Sequence, residues 1–90
     1  MKAQSRDIII ESFQNLAMKQ LCHVPIVAVY QSPKEYPGKF VARLWDIHKK
    51  PKLYIMVKDT LAGIQENIPI HMVRLPPTPQ DDPILIETWI

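Results

Sequence analysis

Glycine and cysteine are both scarce in this chain. The two glycines, Gly38 and Gly63, stand far apart, so no glycine-rich loop exists to cradle a phosphate with backbone N–H groups. A single cysteine, Cys22, rules out an intramolecular disulfide. The fold must hold without a covalent staple, and a reducing cytoplasm is the expected setting. Net charge is small too. Eleven Lys and Arg against nine Asp and Glu leave +2, mild for a nucleic-acid binder of this size. No apolar run approaches the ~18–20 residues that a membrane-spanning helix needs, so no membrane partner is expected. The opening "MKAQSRDIIIESF" has an apolar stretch of three isoleucines, ended by Glu11, and no signal peptide is expected there.

Catalytic groupings are missing as well. The three histidines, His23, His48 and His71, stand more than twenty residues apart. No C-x-x-C, H-x-x-x-H or H-E-x-x-H spacing occurs, so no metal site is expected. Cys22 and His23 are neighbours, yet successive side chains point in different directions and make a poor nucleophile and base. A buried thiol and a helix-end histidine are the expectation. No enzyme activity and no cofactor follow from such a set.

What remains is a folding chain. Ninety residues, 47% hydrophobic and 22% charged, suit one globular domain over 1–90 with one core. Residues 6–21, "RDIIIESFQNLAMKQL", place Ile9, Phe13, Leu16, Ala17, Gln20 and Leu21 at spacings of three and four. That pattern predicts an N-terminal helix within 1–22, capped by Ser5, with Asp7 at the positive end of its dipole. "VPIVAVYQS", "KFVARLWDI" and "KLYIMVKD" are rich in β-branched and aromatic residues and are divided by short breaker segments. They predict an antiparallel three-strand meander. "DTLAGIQENIP" predicts a short helix capped by Asp59 or Thr60, with Leu61, Ile64 and Ile68 buried and Pro69 as its stop.

"HMVRL" is a candidate short strand, and "PPTPQDDP" an extended turn. The closing run "ILIETWI" is apolar on both sides, so an exposed copy of it would aggregate. It is expected to pair with "HMVRL", to join the main sheet, or to pair with a second copy of the chain through 84–90. The expected fold is α+β, in the order α-β-β-β-α-β-β. An antiparallel sheet over 23–90 carries two helices on one face.

Three surface features carry chemistry. "HKKPK" is a basic turn with Lys49, Lys50 and Lys52, flanked by Trp45 and Tyr54. Lysines interleaved with aromatics on a sheet suit phosphate contacts and base stacking. "KEYPGKF" displays Tyr36 on a proline–glycine turn, a placement that suits protein recognition. "QDD" puts Asp81 and Asp82 in a restricted acidic turn, fit for a basic partner surface.

The α-β-β-β-α portion resembles the arrangement of double-stranded-RNA-binding domains and HicB-type antitoxins. "YIMVKDTLAGIQENI" looks like the strand-to-helix junction of the antitoxins. RNA-binding domains carry basic residues at the start of the second helix, where this chain has Asp59 and then Glu66. Over residues 29–90 the chain also resembles a small family of uncharacterised bacterial proteins of phages, plasmids and other mobile elements. "YPGKFVARL", "DTLAGI" and "R-L-P-x-x-P-x-D-D-P" carry that likeness. It implies no activity and transfers no catalytic residue.

The expected function is a small cytoplasmic protein-interaction module, in the form of a mobile-element accessory factor or an inhibitor of a host system, as anti-CRISPR proteins are. The candidate contacts are Tyr36, Trp45, Lys49, Lys50, Lys52, Asp81 and Asp82. The alternative is a nucleic-acid-binding or antitoxin-like regulator that uses the basic turn.

Overall fold

The computed structural model describes residues 7–47, 50–78 and 82–90. Its elements are β1 (Ile8–Ile9), α1 (Met18–Leu21), β2 (Pro25–Gln31), β3 (Phe40–Asp46), β4 (Lys50–Lys58), α2 (Leu61–Gln65), β5 (Arg74–Leu75) and β6 (Leu85–Trp89). A 3-10 turn, Phe13–Asn15, precedes α1. The strands form one six-stranded sheet in the order β1-β4-β3-β2-β6-β5. The fold is α+β with a mixed sheet, because β1 runs parallel to β4 while the other pairs are antiparallel. No helix among the described residues is long and apolar enough to cross a membrane.

The expected N-terminal helix does not form as one piece. Its first part is β1, where Ile8 and Ile9 pair with Tyr54 and Ile55 and the Ile10 N–H donates to the Ile55 carbonyl at 2.8 Å. β-branched isoleucines suit a strand better than a helix. Tertiary hydrogen bonds then claim the middle of the segment. The Phe13 N–H donates to the Asn67 carbonyl at 3.0 Å, and Gln14 Nε2 donates to the Glu66 carbonyl. The Ser12 hydroxyl accepts from the Gln14 N–H at 3.1 Å, capping the 3-10 turn. Four residues, Met18–Leu21, stay helical. The proposed Ser5 cap lies outside the described residues. Asp7 serves as an ion-pair partner, described below.

The second helix keeps its expected start but stops early. Thr60, and not Asp59, is the N-cap: its Oγ1 accepts from the Gly63 N–H at 3.0 Å. Asn67 Nδ2 donates to the Gly63 carbonyl at 2.8 Å, drawing the chain into a turn before Pro69. A Cβ on Gly63 would meet Thr60 Oγ1 at 3.2 Å, so the capping bond and the missing side chain belong together.

Alternation sorts each strand between two faces. Val27, Val29, Ala42, Leu44 and Met56 lie on one face and are buried with Phe13, Met18, Cys22, Ile64, Ile68 and Met72 in a single cluster. Fully burying a side chain such as Phe13 or Leu44 contributes ~1.5–3 kcal/mol relative to exposure. Glu87 is also buried here. Its carboxylate accepts from Gln65 Nε2 at 3.1 Å and from Trp89 Nε1 at 2.6 Å, which ties α2 to β6. The closing run "ILIETWI" answers its own aggregation hazard: β6 lies between β2 and β5, paired on both sides within the chain.

Ala28, Tyr30, Val41, Arg43 and Ile55 lie on the opposite face and are buried too. Arg43 is the exceptional one. Its Nη1 and Nη2 donate to the two carboxylate oxygens of Asp7 at 3.1 and 2.8 Å, and both side chains are buried. The strand register accommodates a third bond. Arg43 stands opposite Ile55 and Trp45 opposite Pro51, so β4 bulges, and the Lys52 carbonyl inside the bulge accepts from Nη1 at 2.8 Å. A planar guanidinium matches this set of acceptors where a lysine would not.

Removing one partner of a buried pair leaves an uncompensated charge. Arg43→Met is therefore expected to cost about 3–5 kcal/mol in urea unfolding, and the double variant with Asp7→Leu to recover most of it. Equal losses in the single and double variants would assign the effect to packing alone.

Candidate interaction surface

The sheet has two ends of different character. At one, β2 begins, β3 passes into β4, β6 finishes and β5 starts. Exposed large apolar side chains gather at this end: Val24, Ile47, Ile70, Val73, Leu75 and Ile90. Ile70 is 100% exposed and Val73 60%. Ile8 and Ile9 are the exposed exceptions, on β1.

Backbone pairing places these residues. Val73 and Ile90 exchange both N–H···O bonds, at 2.7 and 3.0 Å. The Ile47 N–H donates to the Val24 carbonyl at 3.0 Å. Ile26 pairs with Trp45, and Trp45 with Pro51. Alternation from the neighbouring Val27–Trp89 pair sets Ile26 and Ile90 side by side on the Arg43 face. An apolar row, Val73, Ile90, Ile26, Trp45 and Pro51, thus crosses the sheet. Trp45 is half-buried in that row, and its Nε1 is buried with no hydrogen-bond partner among the described residues. Ile70 stands out because the Met72 N–H closes a turn onto the Pro69 carbonyl at 3.0 Å, while Met72 is buried in the core. A rigid anchor therefore holds up an exposed isoleucine.

Two grooves flank α1 at this end. One, of about 470 Å³, is lined by Leu16, Ala17, Pro25, Pro69, Ile70 and His71 among others. The second, of about 410 Å³, is more polar and includes Cys22, His23, Asp46 and Lys52. Lys19 and Gln20 line both. Asp46 is buried, and its carboxylate accepts from the N–H groups of His23 and Val24 at 3.4 and 3.5 Å. It holds the chain just before Pro25, which has no N–H of its own. Burial pushes the Cys22 thiol up, against the opposing influence of Lys52 and reinforced by Asp46. That direction is the reverse of an activated nucleophile.

The other end carries the loop 32–39. Ser32 sits at φ 51 and Gly38 at φ 77, both in the left-handed region. The Ser32 hydroxyl accepts from the Gly38 N–H at 3.0 Å, and the Ser32 N–H donates to the Lys39 carbonyl at 2.8 Å. Tyr36 is half-buried on this braced loop. Asp82 is exposed at the same end, and its Oδ1 accepts from the Ile84 N–H at 3.1 Å. Lys39 and Asp59 form an exposed ion pair nearby. The hydrogen bond from Lys39 and then its charge hold Asp59 below the usual carboxylate range.

The residues singled out in the sequence therefore divide between two ends. Tyr36 and Asp82 stand at one; Trp45 and Lys52 stand at the other, together with the Lys50 backbone, which pairs with Asp46. Lys49 and Asp81 lie outside the described residues. Sequence reasoning missed Ile70, Val73 and Ile90 as a surface. The usable signal was "NIPIHMV", where apolar residues continue past the stop of a helix.

Comparison with protein-family models, curated proteins and solved structures finds no match to this chain.

The raised Cys22 thiol has a direct test. Alkylation of the folded protein near neutral pH should be far slower than that of the urea-unfolded chain, with its pH midpoint above the ordinary thiol range. Lys52→Ala removes the lowering charge and should slow it further. A fast native reaction would contradict the buried placement.

Proposed function

We propose that this chain is a non-catalytic protein-interaction module that docks on a partner protein through the apolar end of its sheet. The observation that carries this reading is the gathering of Ile70, Val73, Ile90, Val24 and Ile47 at one end of the sheet. A small monomer leaves large apolar patches exposed where something covers them in use. Three acids inside the fold have structural occupations: Asp7 with Arg43, Glu87 with Gln65 and Trp89, Asp46 with two backbone N–H groups. Such a module works by covering its partner's surface. The specific form we propose is an inhibitor encoded on a mobile element, a class whose members are often as short as this chain and lack catalytic groups.

A nucleic-acid reading has less to draw on. Trp45 is half-buried in the apolar row, and Tyr54 packs against the core. The two lie on opposite faces of the sheet and do not make one stacking platform beside Lys52.

Capture from a bacterial lysate with the full chain, with and without nuclease, tests the proposal. Wild type should retain a protein after nuclease treatment, and Ile70→Asp and Val73→Asp should each reduce its recovery by at least about tenfold. Capture that disappears with nuclease, or that both variants preserve, would contradict it.

A further inference from the structure

We infer that the partner presents an acidic, apolar peptide segment to the groove between α1 and the 69–71 turn. This rests on the docking end proposed above and adds the chemistry of its occupant. Leu16, Ala17, Pro25, Pro69 and Ile70 make the lining apolar. Lys19 and His71 are its titratable residues, and no acid lines it among the described residues. The neighbouring groove shares Lys19 and adds His23 and Lys52. Among the described residues its one acid is Asp46, which is buried and turns its carboxylate to backbone N–H groups. Arg74 is exposed on the adjacent edge strand. Apolar contact is thus on offer inside a cationic frame, and the complementary surface is apolar and acidic.

The shape selects among anionic occupants. A concave groove of about 470 Å³ takes protruding side chains, which a flat lipid surface does not supply. Pairing an extra strand onto the edge is disfavoured as well. Val73 spends its backbone groups on Ile90, so of the two β5 residues it is Arg74 that turns its own outward. Pro76 and Pro77 follow without N–H groups. The segment therefore binds through side chains seated in the groove, with carboxylates toward Lys19 and Lys52.

The test is a selection from displayed random peptides of about 16 residues, long enough for about four helical turns. It is made on the immobilised full chain at about 150 mM salt. The enriched pool should be net negative and rich in large apolar residues. A fluorescent enriched peptide should bind Ile70→Asp at least about tenfold more weakly than wild type, and Lys19→Glu about three- to tenfold more weakly. Lys34→Ala, on the exposed loop at the far end, should bind as wild type does. An enriched pool that is neutral or basic, yet sensitive to Ile70→Asp, would overturn the acidic occupant and leave the docking end standing. No enrichment, or binding indifferent to Ile70→Asp, would overturn the inference. If Ile70→Asp also kept its captured protein, the docking end would fall with it. Co-sedimentation with phosphatidylglycerol vesicles, lost in Ile70→Asp and without peptide enrichment, would assign the surface to an anionic membrane instead.

Discussion

A buried guanidinium cannot stand alone in a sheet. Arg43 occupies the middle of β3, fully enclosed, and its charge is met by Asp7 and by the carbonyl of a bulged Lys52. Because desolvating such an ion costs several kcal/mol, the pair holds only while all its hydrogen bonds are made. This condition brings the N-terminal segment to the far edge of the sheet and makes a mixed sheet out of an antiparallel one. From Asp7 the chain passes through β1, the Ile10–Ile55 bond and the Ser12-capped turn into Phe13, which is buried in the core. Leu16, Ala17 and α1 come next, and they form one wall of the apolar groove. The charge pair on one face thus sets the position of a surface on the other.

The apolar end follows from the same economy of strands. β6 is inserted between β2 and β5, which hides the most aggregation-prone run of the chain. Ile90, just beyond β6, and its partner Val73 are then left exposed at the sheet's end. The prolines after Leu75 and the two-residue length of β5 blunt the edge itself. A surface that repels strand pairing but retains exposed isoleucine and valine suits side-chain docking.

How much of this was legible depended on whether local or distant groups decided each element. The meander β2–β3–β4 came within a few residues of its observed limits, because alternation and breaker segments are local signals. Ile64 and Ile68 are buried as their spacing predicts, Leu61 is half-buried, and Thr60 is one of the two caps that the sequence offered. The N-terminal helix was misread: a genuine spacing of three and four was overruled by partners as distant as Arg43, Ile55 and Asn67. A charged residue alternating into a strand's buried side could have signalled that an acid must come to it. At the candidate surface, Trp45 was picked out for its residue type. Ile70 and Val73 were not, since apolar residues in a connection read as core until the fold shows which way they face.

Native-state hydrogen exchange of the Ile10 and Phe13 amides tests most directly whether the charge pair makes the N-terminal segment part of the fold. These amides should exchange only by global unfolding, within about tenfold (~1.4 kcal/mol) of amides in the centre of β3. Exchange through a separate, low-energy opening, with β3 still protected, would show that the segment is merely laid on the sheet, and the groove it walls would lose its foundation.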